Sequence, residues 1–266
     1  AIDDVKFNIK SNELDINIDT HDDSGNSRYY RWEFEQTWEF NANFFSTHKS
    51  NGDTVLARDL ANDNIYHCWT GERSKTIVLG SSAKLSADII KNNTILTIPG
   101  SSEKIGLKYS ILVKQYALTK TEFEFWQTLK KNTEQLGTIF DPQPSQIQGN
   151  IHCVSDPAEI VIGYVGACTV TQQRRFIDKN QLLNFRTIPF YTDCKADSIL
   201  LKRPIPGGGV VNEENIYFNR NKGATVLLVP LDAISERNVL LGHMGTIQKC
   251  ADCTLRGTKR KPDFWE

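Results

Sequence analysis

From Arg28 to Phe40 the chain alternates residue by residue. Tyr30, Trp32, Phe34, Trp38 and Phe40 fall on one side, and Arg31, Glu33, Glu35, Thr37 and Glu39 on the other. A period of two is the signature of a strand with one buried face; a helix would scatter these rings around its circumference. Five large aromatic side chains on one face need a second layer of structure to cover them, so this stretch commits the chain to a packed sheet. Such a face can also bind sugar, but rings at this density read as core. The stretch would extend to about 40 Å, longer than an ordinary strand, which predicts a bulge or bend near Gln36.

Two other segments repeat the pattern. Leu14, Ile16 and Ile18 alternate with Glu13, Asp15, Asn17 and Asp19, a strand over 12–19, and Asp22 to Asn26 follow with turn chemistry. Leu107, Tyr109, Ile111 and Val113 form a third alternating face. The period then changes at Thr119-Lys120-Thr121-Glu122, a capping box in which the Thr119 hydroxyl caps the helix and Glu122 reaches back. Phe125, Trp126 and Leu129 follow at helical spacing, with Trp126 expected in the core. Leu136-Gly137 is the predicted stop and Asp141-Pro142-Gln143-Pro144 a stiff exit, so the helix near 119–136 has roughly four turns. Further strands are predicted at 76–79, 94–98, 159–165 and 169–177, with a short helical turn around Leu85 and Ile89 and an extended 147–153. Beyond Asp178 periodicity fades. Gly207 to Gly209 form a loop, 225–229 a short buried run and 234–241 a helix. The fold class is mainly β: an immunoglobulin- or fibronectin-like β-sandwich with insertions, one principal α-helix and an irregular C-terminal third. The expected domains are a sandwich over 1–177 and an irregular, cysteine-containing extension over 178–266 packed on it.

The 266 residues carry 31 lysines and arginines against 32 acids, a net charge of -1. That balance argues against nucleic acid as a partner. Hydrophobic residues at 39% make a folded chain, and no apolar run is long enough to span a bilayer. The motifs of enzymes are missing: no G-x-S-x-G elbow, no H-E-x-x-H and no P-loop, and His21, His48, His67, His152 and His243 are scattered. The expectation is a protein without catalytic residues or cofactor. Asp19, Asp22 and Asp23 are conceivable calcium ligands but lack EF-hand spacing. Cys250-Ala-Asp-Cys253 is a metal or redox candidate, with Cys194 and His243 available to complete a zinc site. The simpler reading of Cys68, Cys153, Cys168, Cys194, Cys250 and Cys253 is a set of structural disulfides in an oxidising compartment.

Several long stretches together resemble one family: Arg28-Tyr29-Tyr30-Arg31-Trp32-Glu33, Cys68-Trp69, KYSILVKQYALT at 108–119, FDPQPSQIQGNIHC at 140–153, IGYVGA at 162–167, and Asp252-Cys253 through Trp265. They are similar to outer-membrane lipoproteins of unknown function in Bacteroidota (domain of unknown function family 4249), typically encoded beside SusC-like TonB-dependent receptors. The resemblance carries no site residues. It implies a lipoprotein held in the outer membrane, facing the cell surface or the periplasm. Because the chain opens on Ala1-Ile2-Asp3-Asp4, its lipid anchor is expected upstream. The function expected is non-enzymatic binding of a SusC-like barrel or its cargo in nutrient uptake. An accessory subunit of an outer-membrane assembly or secretion complex is the first alternative, and a cryptic hydrolase or metalloprotein the second. Cys68, which follows one candidate strand region, and Cys153, which ends another, both lie beside these motifs and are expected to pair; Cys194 is expected to join the Cys250/Cys253 tail and Cys168 to take the remaining partner. The bacteria concerned attach O-glycans at aspartate, then serine or threonine, then an apolar residue, which marks Thr54 and Ser198, each in a loop or at a loop edge, as glycosylation candidates.

Overall fold

The computed structural model describes residues 1–134, 149–161, 163–219 and 227–266. Its strands in chain order are β1 (Ile2–Lys10), β2 (Glu13–His21), β3 (Tyr29–Asn41), β4 (His48–Ser50), β5 (Val55–Ala57), β6 (His67–Arg73), β7 (Val78–Ser81), β8 (Ile89–Pro99), β9 (Lys108–Ala117), β10 (Thr169–Asp178), β11 (Asp197–Leu200), β12 (Arg203–Pro204), β13 (Val210–Val211), β14 (Leu228–Glu236) and β15 (Val239–Ile247). One long helix, α1 (Lys120–Glu134), follows β9, while α2 (Glu214–Tyr217) and α3 (Gln248–Ala251) are single turns. The protein is mainly β, in several antiparallel sheets. It divides into two units of interleaved segments: 1–36, 72–100 and 110–177 in the first, 37–71, 101–109 and 178–266 in the second. The C-terminal third thus shares its unit with two earlier segments, where a single cut after 177 was expected. Strands β3, β6, β9 and β10 contribute residues to both units.

In the first unit β2 is the middle of a three-stranded sheet ordered β1-β2-β8. Leu14, Ile16 and Ile18 are fully buried, as the alternation predicts. Asp15, Asn17 and Asp19 are buried as well, because a central strand has neighbours on both edges whose side chains lie over it. Each has a partner: Thr97 and Lys10 for Asp15, Thr94 for Asn17, and Lys6 with the Asn92 N–H for Asp19. Asn92 sits at φ 53°, a left-handed conformation that asparagine tolerates, and this is where β8 slips register against β2. Strand β1 escaped sequence reading for a similar reason. Its register shifts between Ile2 and Asp4, so Ile2 is out of phase with Val5, Phe7 and Ile9.

The second sheet runs β10-β9-β3-β6, with β7 also on β3. Burial alternates at every residue of β3 without a change of phase, so the bulge expected near Gln36 is not there. Gln36 takes a buried position and donates its amide to Glu72 at 2.8 Å. Within the first unit the two sheets are tied by a relay through the core. Trp32 Nε1–H donates to Gln115 Oε1 (2.8 Å), Gln115 Nε2 donates to Thr20 Oγ1 (2.9 Å), and the Thr20 hydroxyl donates to the Ala1 carbonyl (2.6 Å). Tyr30 OH ends on Asp88 at 3.0 Å. Gly80 is a glycine because a Cβ there would enter the Trp32 ring.

Helix α1 starts where predicted, with Thr119 Oγ1 accepting the Glu122 N–H at 3.2 Å. The reciprocal half of the box is not made: the Glu122 carboxylate turns inward, is buried, and leaves Oε2 without a hydrogen-bond partner. Trp126 is half-buried, a correction to its predicted core position. Its ring lies against the Arg31 guanidinium at 4.2 Å, and the same guanidinium lies over the Tyr116 ring at 4.4 Å. The predicted helix stop and diproline exit lie outside the described residues. The described part of 159–165 is not the expected strand; Asn150 there holds the Val165 backbone through both side-chain atoms, at 2.7 and 2.8 Å. Ile89 begins β8 instead of ending a helical turn, because it pairs with His21 across the ladder.

The second unit is more regular than periodicity suggested. The stretch 234–241, expected to be helical, is the end of β14, a turn, and the start of β15. Arg237 and Asn238 both have positive φ (47° and 65°), the requirement of a two-residue hairpin turn that twists with its strands. These strands form the sheet β11-β15-β14, and β4 and β5 make a small hairpin docked through the Thr47 N–H to Leu231 O bond.

The relay makes a quantitative prediction. Gln115→Leu should lower unfolding stability by about 2–4 kcal/mol, because it strands the Trp32 N–H and removes the donor to Thr20 in a buried site. Urea denaturation measures this, and an unchanged midpoint would show that the relay contributes nothing.

A polar cavity, two disulfides and an exposed apolar segment

In the second unit β4, β5, Leu201 just past β11, α2 and β15 bound a cavity of about 280 Å³. Its polar lining includes Ser50, Thr54, Asn212, Glu214, Asn215 and His243, and its apolar walls include Leu201, Phe218 and Leu240. Local chemistry sets each of these in place. Asn212 Oδ1 accepts the Asn215 N–H at 3.1 Å, which starts the single turn of α2 and turns Glu214 inward. His243 stands on β15 between Gly242 and Gly245. A side chain at Gly242 would collide with the β11 backbone, and one at Gly245 would come within 3.1 Å of the Phe218 ring. These glycines let β11 and Phe218 close over the histidine.

His243 and Glu214 are both buried, with Nδ1 and Oε1 2.6 Å apart. The carboxylate fixes the imidazole's tautomer and orientation, leaving Nε2 as the nitrogen that can meet a cavity occupant. The His48 ring lies 4.7 Å from that of His243 and has Thr47 Oγ1 2.8 Å from its own Nδ1. Ser50 Oγ donates to the Phe218 carbonyl at 2.6 Å, so this hydroxyl is already engaged. What the arrangement offers is a set of fixed donors and acceptors against an apolar wall.

The sequence-marked residues are dispersed. Thr54 is exposed in the β4–β5 turn, on the rim of this cavity. Ser198 is exposed too, near the start of strand β11, with its hydroxyl 3.6 Å from Met244 Sδ. Asp22 does not gather calcium ligands: it accepts from the Ser24 hydroxyl and from the N–H groups of Ser24, Asn26 and Ser27, which hold its carboxyl down at about 2, while Asp19 is paired with Lys6. The cysteines of the zinc alternative are consumed in disulfides, and among the described residues no group of three or more acids, histidines and cysteines is arranged for a metal ion.

Those disulfides are Cys68–Cys253 and Cys194–Cys250, both within the second unit. The expected Cys68–Cys153 pairing is overturned, and Cys168 finds no partner: Cys153 and Cys168 are free thiols. The reason is that the C-terminal tail lies along β6. Trp69 and Thr258 form a bridge, and the Cys253 N–H donates to Ile65 O at 2.8 Å, which delivers Cys253 to Cys68. Burial pushes the Cys168 thiol above its ordinary pKa, and the nearby Glu122 carboxylate adds to this, so it is held as the unreactive thiol.

Glu214 and the asparagines were missed in sequence reading because Glu213-Glu214 looks like a solvated acid pair. The one available signal was a histidine flanked by glycines. A second feature was also invisible. In the first unit Val154, Ile160 and Val165 are 98%, 69% and 69% exposed along an irregular stretch, an unusual density of bare aliphatic side chains.

The fold and its lining thus define an antiparallel β protein with a small cavity of mixed polar and apolar lining. Residues 1–174 match the model of a domain of unknown function, DUF4249, and the chain belongs to that family. The exposed aliphatic stretch falls inside the matched residues, while α2 and β15 lie beyond them. No curated protein and no solved structure matches the chain. Among the described residues no helix is long and apolar enough to cross a membrane.

In the chain-entropy model the loops closed by Cys68–Cys253 and Cys194–Cys250 stabilise by about 5 and about 4 kcal/mol respectively. Ellman titration of the denatured, unreduced protein should return two thiols, and peptide mapping should place them at 153 and 168. Any other count overturns this pairing.

Proposed function

We propose that this chain is the binding portion of a non-enzymatic outer-membrane lipoprotein. It is anchored by a lipid upstream of residue 1, faces the cell surface or periplasm, and engages a SusC-like TonB-dependent barrel or its cargo. The observation that carries the reading is the exposed stretch of Val154, Ile160 and Val165 within the family-matched residues. Three bare aliphatic side chains on one irregular stretch are costly in water unless a partner covers them. The Ser50 hydroxyl donates to the Phe218 carbonyl and not to the His243–Glu214 pair, so no activated nucleophile is formed there, which supports binding over hydrolysis. Native purification from outer membranes should bring a transporter barrel down with this protein, and a Val154→Asp, Ile160→Asp double variant should release it. A protein that purifies alone from its own membranes would refute the proposal.

We further propose O-glycosylation at Thr54 or Ser198, each exposed and able to carry a bulky group without entering the core. Intact mass of protein from its native host should exceed that of polypeptide plus lipid, and Thr54→Ala or Ser198→Ala should remove the excess. Equality of the two masses would end this idea.

A further inference from the structure

We infer that the cavity between α2 and β15 is a binding site for one neutral, polyhydroxylated ring, a single sugar in size. The inference goes beyond the partner reading and stands whether or not a barrel binds. Three observations carry it. The volume of about 280 Å³ lies at the small end of ligand pockets, which limits the occupant to one ring. Its charge selects against anions: Asp53 and Glu214 line it, and among its described lining residues there is no lysine or arginine. The buried Glu214 is already matched by His243, so no unpaired deep carboxylate is waiting for a cation. Asn212 has its Oδ1 committed to the Asn215 N–H, which leaves its NH₂ group to donate. The Asn215 amide both donates and accepts, and His243 Nε2 adds a further polar contact. This mixture of donors and acceptors suits hydroxyls, each of which does both. Phe218 offers an apolar wall for the C–H face of a ring.

The test is calorimetric titration of the full chain with free glucose, galactose, mannose, xylose and N-acetylglucosamine, with glucuronate and glucosamine as charged comparisons. At least one neutral sugar should bind saturably. Asn215→Ala should weaken it by about tenfold or more, the loss of a well-made hydrogen bond. Leu240→Trp should block the cavity, and because Leu240 is half-exposed at 45% the larger ring can be accepted without refolding the sheet. Chemical-shift mapping on the unsubstituted protein is independent of variant folding and should centre on α2 and β15. The inference fails if no neutral sugar saturates at about 10 mM. It fails equally if glucuronate or glucosamine binds as well as the neutral sugars, if both variants bind unchanged, or if the shifts map elsewhere.

Discussion

The first unit depends on how one buried amide satisfies two sheets at once. Trp32 and Tyr30 supply the apolar area that drives the sheets together, but each brings a polar atom into a dry core. Gln115 resolves this for Trp32 by accepting the indole N–H, and it passes its own N–H to Thr20, whose hydroxyl continues to the first carbonyl of the chain. Apolar packing alone tolerates small slides. This chain of hydrogen bonds does not, because a shift of one residue in β3, β9 or β2 would flip a partner to the opposite face. The relay therefore sets register where hydrophobic contact only sets proximity.

The second unit solves a different problem. Apart from β14 and β15 the strands that lie wholly within it run to four residues or fewer, and it is held by covalent and charged ties. Two disulfides fasten the C-terminal tail and the 194 region, and Arg256 makes a two-pronged ion pair with Glu103 (2.7 and 3.0 Å) while lying against Phe40 and Phe190. Such a frame can hold a cavity open because its stability does not rest on filling every space with apolar side chains. The His243–Glu214 pair is tolerable in that setting: each is buried, and each satisfies the other.

The two candidate surfaces differ in kind. The exposed aliphatic stretch of the first unit lies in the family-matched residues and suits a protein partner. The cavity of the second unit lies in residues beyond the match and suits a small ligand.

Much of the first unit was legible in the residues alone. The faces of β2, β3 and β9, the Thr119 cap and the start of α1 follow from periods of 2.0 and 3.6, which are local properties of the backbone. Where the sequence misled, the missing term was a neighbour distant in the chain. Asp15 and Asn17 read as solvent-facing because nothing local says that β2 has strands on both edges. Trp126 read as core because nothing local says that Arg31 would lie against it. The 234–241 stretch read as helix because the tertiary sheet, not intrinsic preference, holds Arg237 and Asn238 left-handed. By itself, then, the sequence determined a mainly β protein, the membership of its buried faces and its principal helix. Only the tertiary structure decided which cysteines meet, which acid faces His243 and which apolar side chains stay bare. Those depend on closing loops of tens to hundreds of residues, and no local period records where such a loop comes to rest.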